Sequence, residues 1–318
     1  MGKVCIKLNS EMKFKIIYIS FFVLFTTSIQ AQNTKKSYIE IIDYWNVEMF
    51  NKKVNEVSTE YTEYDTSFGS DKSSKKIKTF TKSKQIFNKF GCLVSQIDQV
   101  SSYSFVGSKS KKKQTKINYD YDKKFKLLKE KIYTNLDTIT LKPIDTTDYS
   151  LKVYNYNSNE SLKECLEFDT SKVLIKKTTF IIDSLNQTLE ITDYNLKKNN
   201  EFEFKVMHQF DNNLVLIEQT YFQFGKMSGI SKITYDEKGR KSNVTLSSVT
   251  SYYQSLESYK YDNKDFLIEL REGSNIDPGT IKYFDYTFDS NKNWLTKEIK
   301  NDTGNVIEHF KRKITYFK

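Results

Sequence analysis

The chain repeats itself. An aromatic residue or Ile precedes Asp, a short polar turn follows, and an apolar run comes next. The pattern occurs at Phe168-Asp169, Ile182-Asp183, Phe210-Asp211, Tyr235-Asp236, Tyr261-Asp262 and Phe288-Asp289. The last four of these Asp residues are separated by 25, 26 and 27 positions. A fixed period in that range means one supersecondary unit copied and packed against its neighbours. Within the units, Phe202, Phe204, Val206 and Phe210 alternate with polar residues, and so do Phe284, Tyr286 and Phe288. Such alternation marks half-buried antiparallel strands.

Turn signals divide the strands at Lys238-Gly239, Asp277-Pro278-Gly279 and Asp302-Thr303-Gly304-Asn305. The chain has only two prolines, which suits long unbroken strands. The expected fold is therefore all-β: repeated antiparallel hairpins forming an extended or wrapped meandering sheet. In this reading Asp169, Asp183, Asp211, Asp236, Asp262 and Asp289 are structural, each carboxylate bonding a backbone amide two residues on. Weaker copies at Phe87-Asn88, Tyr119-Asp120-Tyr121-Asp122 and Ile144-Asp145 bring the expectation to roughly eight or nine hairpins. An open sheet of this kind would leave an edge strand able to accept a partner strand.

The N-terminus reads differently. Met12-Lys13-Phe14-Lys15 is basic, Ile16 to Phe25 is apolar apart from Ser20, and small Ala31 precedes Gln32. That is the order of a secretory signal peptide, and the apolar run is about half the ~20 residues a membrane-spanning helix needs. The expected organisation is a signal peptide over 1–31, an N-terminal segment over 32–53 and a hairpin-repeat domain over 54–318, with a periplasmic or extracellular destination. In the middle segment, Ser37-Tyr38-Ile39-Glu40 matches a capping box, and Tyr38, Ile41, Ile42, Trp45 and Met49 follow at helical spacing. A short helix is expected there. No second long apolar run follows, so no transmembrane segment is expected in the mature chain.

The formal net charge is +10. Ten Lys fall between Lys109 and Lys131 against Asp120, Asp122 and Glu130, and this one stretch carries much of the excess. Lys109, Lys111, Lys112, Lys113 and Lys116 are candidates for holding an anion, weighed against a solvated Lys-rich hairpin. Only Arg240, Arg271 and Arg312 supply guanidinium groups in the whole chain, which argues against nucleic acid as a partner. After removal of the leader, Cys92 and Cys165 remain. An oxidising compartment would allow a disulfide, but two isolated cysteines in different repeats are more often buried and unpaired. The fold is therefore expected to be held by a core rather than by staples.

No arrangement for catalysis, cofactor or metal emerges from the spacing. His208 and His309 stand about a hundred residues apart, and His208 shares the apolar phase of its strand. Zinc, nucleophile-elbow and phosphate-loop spacings are missing. The expectation is a non-catalytic binding or scaffold role toward an envelope glycan or protein. Exposed aromatics, such as part of Tyr252-Tyr253 or Tyr259 and Tyr261, are where a binding face would show. The alternative is a carboxylate-based secreted hydrolase acting on a glycan, because such chemistry needs only two facing carboxyl groups.

Tyr235-Asp236-Glu237-Lys238-Gly239-Arg240 resembles the core of Rhs/YD-repeat proteins, with looser copies from Tyr261 and Phe288. The Lys, Asn and Phe bias is also similar to that of exported proteins of Bacteroidetes-type bacteria. The resemblance implies wrapped β-hairpins over residues 54–318. Large Rhs proteins enclose a toxin, but this far shorter chain shows no appended toxin domain. MORN-type hairpin repeats are the competing match, and their Gly-rich turns fit poorly with ten Gly in 318 residues.

Overall fold

A computed structural model describes residues 53–65, 76–102, 111–198, 201–249 and 251–317. The expected signal peptide and N-terminal helix lie outside the described residues. The first nine strands are β1 (Val54–Asp65), β2 (Lys76–Phe87), β3 (Leu93–Ser102), β4 (Lys111–Tyr121), β5 (Leu127–Tyr133), β6 (Ser150–Tyr156), β7 (Leu162–Phe168), β8 (Leu174–Asp183) and β9 (Thr188–Asn195). A short 3-10 turn, Leu196–Lys198, follows. The remaining strands are β10 (Glu201–Phe210), β11 (Leu216–Gln223), β12 (Lys226–Tyr235), β13 (Lys241–Ser248), β14 (Gln254–Tyr261), β15 (Leu267–Ser274), β16 (Asp277–Phe288), β17 (Trp294–Lys300) and β18 (Val306–Tyr316).

Each strand pairs antiparallel with the next, and β18 pairs with β1, so the eighteen strands close into a barrel. The closing seam sets Val57 opposite Ile314, Tyr61 opposite Phe310 and Glu63 opposite Glu308. Of the extended and wrapped forms expected, the chain takes the fully wrapped one, and a closed barrel leaves no edge strand to accept a partner.

The Asp repeat is the signature of one rim. Chain reversals at Asn88, Asp122, Asn157, Asp183, Asp211, Asp236, Asp262 and Asp289 all follow even-numbered strands and gather at that end. Phe168-Asp169 follows an odd-numbered strand and belongs to the opposite rim, which is why it precedes Asp183 by the length of one strand. Two further corrections follow. Tyr156-Asn157 is a repeat that the sequence reading missed, although its Asn stands where Asn88 stands in a copy that was recognised. Ile144-Asp145 lies in the long β5–β6 connection, where Asp145 accepts from the amide and hydroxyl of Thr147 and from the amide of Asp148.

Most turns share one geometry. Asp236 Oδ1 accepts the amides of Lys238 at 3.0 Å and Arg240 at 2.9 Å, while the Gly239 amide donates to the Asp236 carbonyl at 2.9 Å. Asn88, Asp122, Asp169, Asp211, Asp262 and Asp289 repeat the same pair of bonds to the residues two and four ahead. The residue three ahead takes positive φ, as Gly239 at 75° and Lys292 at 64° show. Asp183 makes a different turn, bonding the amides of Leu185 and Asn186. The Asp277-Pro278-Gly279 signal begins immediately after the reversal, which is made by Asn275 and Ile276. Gly279 is instead pressed on the neighbouring strand, where a Cβ would lie 1.7 Å from the Glu272 carbonyl oxygen.

Cross-strand partners share a face, so one face can be traced around the ring: Tyr61 to Phe310, Phe310 to Lys297, Lys297 to Tyr286. The same face holds the buried Val57, Phe180, Phe210, Leu270 and Ile299 and is therefore the inner wall. Three apolar clusters follow one another along it, centred on β5–β10, on β14–β18 and on β1–β3. The outer wall carries charge. Cross-strand ion pairs join Lys177 to Glu164 at 3.0 Å, Lys205 to Glu190 at 3.3 Å and Lys260 to Glu269 at 2.9 Å.

Candidate functional site

The inner wall changes character along the barrel axis. Near the Asp rim it is lined by aromatic and aliphatic side chains. Residues flanking each turn face one another there, as Tyr121 does Leu127, Tyr156 does Leu162 and Phe210 does Leu216. Several rim tyrosines also tie one hairpin to the one before: Tyr121 donates to the Leu93 carbonyl, Tyr156 to that of Leu127 and Tyr235 to that of Leu216. Toward the opposite rim, ionisable groups enter the same face.

Two groups of them are built into the wall. On β5–β9, Lys152 lies 3.7 Å from Glu130, which also accepts from Tyr154 at 2.6 Å. Asp193 accepts from Thr178 at 2.6 Å and pairs with Lys176 at 2.8 Å. Burial works to lower the Lys152 pKa, but the charges of Glu130 and Glu167 outweigh it and leave the ammonium favoured. On the far side, Glu257 and Glu272 face each other across β14 and β15, and Lys282 on β16 holds Glu272 at 2.7 Å.

Glu308 and Glu63 face each other across the seam. Burial pushes the carboxyls of both Glu257 and Glu308 above the usual carboxylate range. Glu272 adds to this at Glu257 and Glu63 at Glu308, while Lys282 opposes it at both. Tyr259 donates to Glu257, and Tyr61 is the hydrogen-bond partner of Glu308.

His208 is a packed residue of the same wall. Its Nδ1 lies 3.1 Å from Gln219 Nε2, and Gln219 in turn accepts from Tyr221 at 2.9 Å. Burial drops its pKa to about 4, so the imidazole is neutral at physiological pH. Cys165 is buried in the wall, its thiol pushed up to about 12 mainly by burial, and neither Cys165 nor Cys92 is in a disulfide. Among the described residues, no group of His, Cys, Asp and Glu is gathered tightly enough to hold a metal ion.

The sequence-predicted residues do not converge on these groups. Asp169, Asp183, Asp211, Asp236, Asp262 and Asp289 sit at the rims, each engaged by the backbone of its own turn. The lysines of β4 are split between faces. Lys112 and Lys116 share the outer face, and Lys113, in phase with Thr115 and Ile117, has the inner phase. Lys109 and the side chain of Lys111 lie outside what is described. Of the aromatics marked for exposure, Tyr252 and Tyr253 stand open at the rim opposite the Asp turns, whereas Tyr259 is buried.

Glu257, Lys282, Lys297 and Glu308 were missed by sequence reasoning, although each left a signal. Every one falls in phase with the apolar side of its strand, as Glu257 does with Tyr259 and Tyr261. A charge in the apolar phase is the mark of a wall residue that must be paired or neutralised.

No family model matches the chain, and no curated protein matches it. Among solved structures, a porin-like protein from Bacteroides uniformis is 10% identical, covering 82% of this chain and 96% of its own, with a TM-score of 0.39. One from Bacteroides vulgatus is also 10% identical, covering 84% and 99%, with a TM-score of 0.33. A chain of the Photorhabdus luminescens Tc holotoxin pore is 11% identical over 70% of this chain but only 15% of its own length, with a TM-score of 0.19. At such scores these likenesses carry no functional argument.

Proposed function

We propose that the chain is an exported barrel that works in water, with a binding or scaffold role in the cell envelope or outside the cell. The observation that carries this is the sidedness of the wall, with the apolar clusters inside and rows of Lys and Glu outside. Lipid-facing Lys costs about 2–4 kcal/mol at the bilayer midplane, and strand after strand here presents Lys and Glu outward. No helix among the described residues is long and apolar enough to cross a membrane. The turn geometry supports a scaffold reading of the repeated Asp. Recovery of the protein from envelope or medium with Gln32 at its N-terminus is the expected result. A full-length cytoplasmic product overturns the export reading.

One observation favours the second reading, a carboxylate-based glycan hydrolase. Glu257 and Glu308 are inner-wall carboxyls held toward the protonated state, the state a general acid requires. Purified protein screened on a broad set of glycans is expected to show no turnover. Reproducible turnover abolished by Glu257→Gln or Glu308→Gln would establish the hydrolase instead.

A further inference from the structure

Closing the barrel brings together lysines that the sequence keeps far apart. On the outer wall of β1–β5 and β18, the ladder runs Lys313 to Ser58, Ser58 to Lys84, Lys84 to Ile97, and Ile97 to Lys116. Lysines two strands apart in such a row stand about 10 Å from one another, twice the strand spacing. Parallel rows add Lys311 and Lys82, and Lys131 and Lys129 lie beyond them on β5. The carboxylates on this flank are few. Glu56 pairs with Lys84 at 2.8 Å, Glu60 with Lys82 at 2.9 Å, and Asp120 lies 4.0 Å from Lys131. Lys112, Lys116, Lys129 and Lys313 have no carboxylate at ion-pair distance among the described residues.

The rest of the outer wall is balanced. Lys177, Lys205, Lys232, Lys260 and Lys300 each have a cross-strand Glu or Asp within 4.0 Å. The positive excess of the described wall is therefore concentrated on one flank. A surplus of like charge held on rigid strands costs self-repulsion and yields a steering field for an anion.

We propose that this flank binds a linear acidic polysaccharide laid across the strands. Three features choose that partner. The cations are lysines, point charges suited to carboxylates spread along a chain, and the bidentate forks that favour phosphate are missing from the flank. No exposed aromatic lies on the flank strands for bases to stack on, and the exposed Phe90 and Phe125 pack on each other in the β2–β3 and β4–β5 turns at the rim, which disfavours single-stranded nucleic acid along the Lys rows. Apart from Ile77, no large apolar side chain on those strands is exposed to enter a bilayer, which disfavours a lipid surface. The inference deepens the binding role proposed above but does not depend on where the protein is exported.

The test compares two variants of equal net charge on the mature chain. One removes surplus lysines, K112Q/K116Q/K129Q/K313Q, and the other removes paired ones, K177Q/K205Q/K232Q/K300Q. Binding to polygalacturonate is measured beside anionic vesicles of phosphatidylglycerol and single-stranded DNA, with thermal melting to confirm that both variants fold. The flank variant is expected to lose about tenfold or more in polygalacturonate affinity, with a weaker salt dependence, while the paired variant stays near wild type. Equal losses in the two variants, or no binding to polygalacturonate by the wild type, overturn the proposal. Tighter binding to vesicles or DNA, lost in the flank variant, overturns the choice of partner. Failure of the export test with retained polymer binding removes only the compartment assigned above.

Discussion

Arg240 Nη1 lies 2.7 Å from Asp265 Oδ1, joining two turns of the rim that are a whole hairpin apart in sequence. The same guanidinium holds Asp236 of its own turn at 2.7 Å and lies 4.6 Å from the centre of the Tyr261 ring. Neighbouring turns use the same device with other side chains: Lys126 reaches Glu160 at 3.1 Å, and the Phe90 ring meets that of Phe125 at 4.8 Å. In each case the contacted residue is the one with positive φ in the next turn. Arg240→Ala is therefore expected to lower the Tm, and Arg240→Lys to restore little, because a single ammonium cannot bridge both carboxylates and cover the ring. The effect should shrink in high salt, read by thermal melting across a salt series.

The turn carboxylates should behave alike. Asp236→Ala, Asp262→Ala and Asp289→Ala each remove an acceptor for two backbone amides, and a loss of about 1–2 kcal/mol per site is expected. The matching Asn variants should lose less, since Asn88 already performs this role in the chain. Urea denaturation of the three pairs checks this. One variant that is stable yet inactive in a binding assay would show that its carboxylate has another task.

Positive φ is strained for residues with a Cβ. Leu214 at 60° and Lys292 at 64° occupy the position that Gly239 fills at 75°. Leu214→Gly and Lys292→Gly are expected to stabilise by about 0.5–1 kcal/mol, and Gly239→Ala to destabilise by about as much. Chemical denaturation midpoints decide the sign.

His208 gives the fold an acid-sensitive term. Its native pKa of about 4 lies below the 6.5 of an exposed imidazole, so between these values the unfolded chain binds more protons than the native one. The stabilisation is present above pH 6.5 and is lost as the pH falls toward 4, about 3 kcal/mol in all. In His208→Gln the stability curve should be flatter over that window, measured by urea unfolding at a series of pH values.

Glu257 acts with the opposite sign. Its native pKa is raised, so the native state retains a proton that the unfolded chain has released. Its favourable contribution is full below the ordinary carboxylate pKa of 4.5 and is lost as the pH climbs through the raised value. Glu257→Gln is thus expected to be more stable than wild type at neutral pH and no more stable in acid.

The hairpins were legible because local chemistry makes them. Asp236 with Gly239 needs nothing outside its own turn, and Phe284, Tyr286 and Phe288 reveal a buried face by phase alone. Phe168-Asp169 was harder to place, because both rims of a barrel can use the same turn and only the parity of the strand tells them apart. Closure could not be read at all. Nothing near Tyr61 in sequence indicates that Phe310 is its partner, since that pairing follows from the number and twist of the intervening strands. The Lys-rich flank was hidden for the same reason, with Lys313 and Lys84 made neighbours only by the seam.

That seam has a consequence for how the molecule is made. Tyr61 and Phe310 meet across about 250 residues, so the last contact to form is also the one with the largest loop to close. Until β18 has left the ribosome, β1 and the newest strand are both bare edges, each a template for a neighbouring copy. A chain cut before Val306 should therefore assemble intermolecularly rather than persist as a smaller barrel, and the final strand acts as the clasp that takes both edges out of reach.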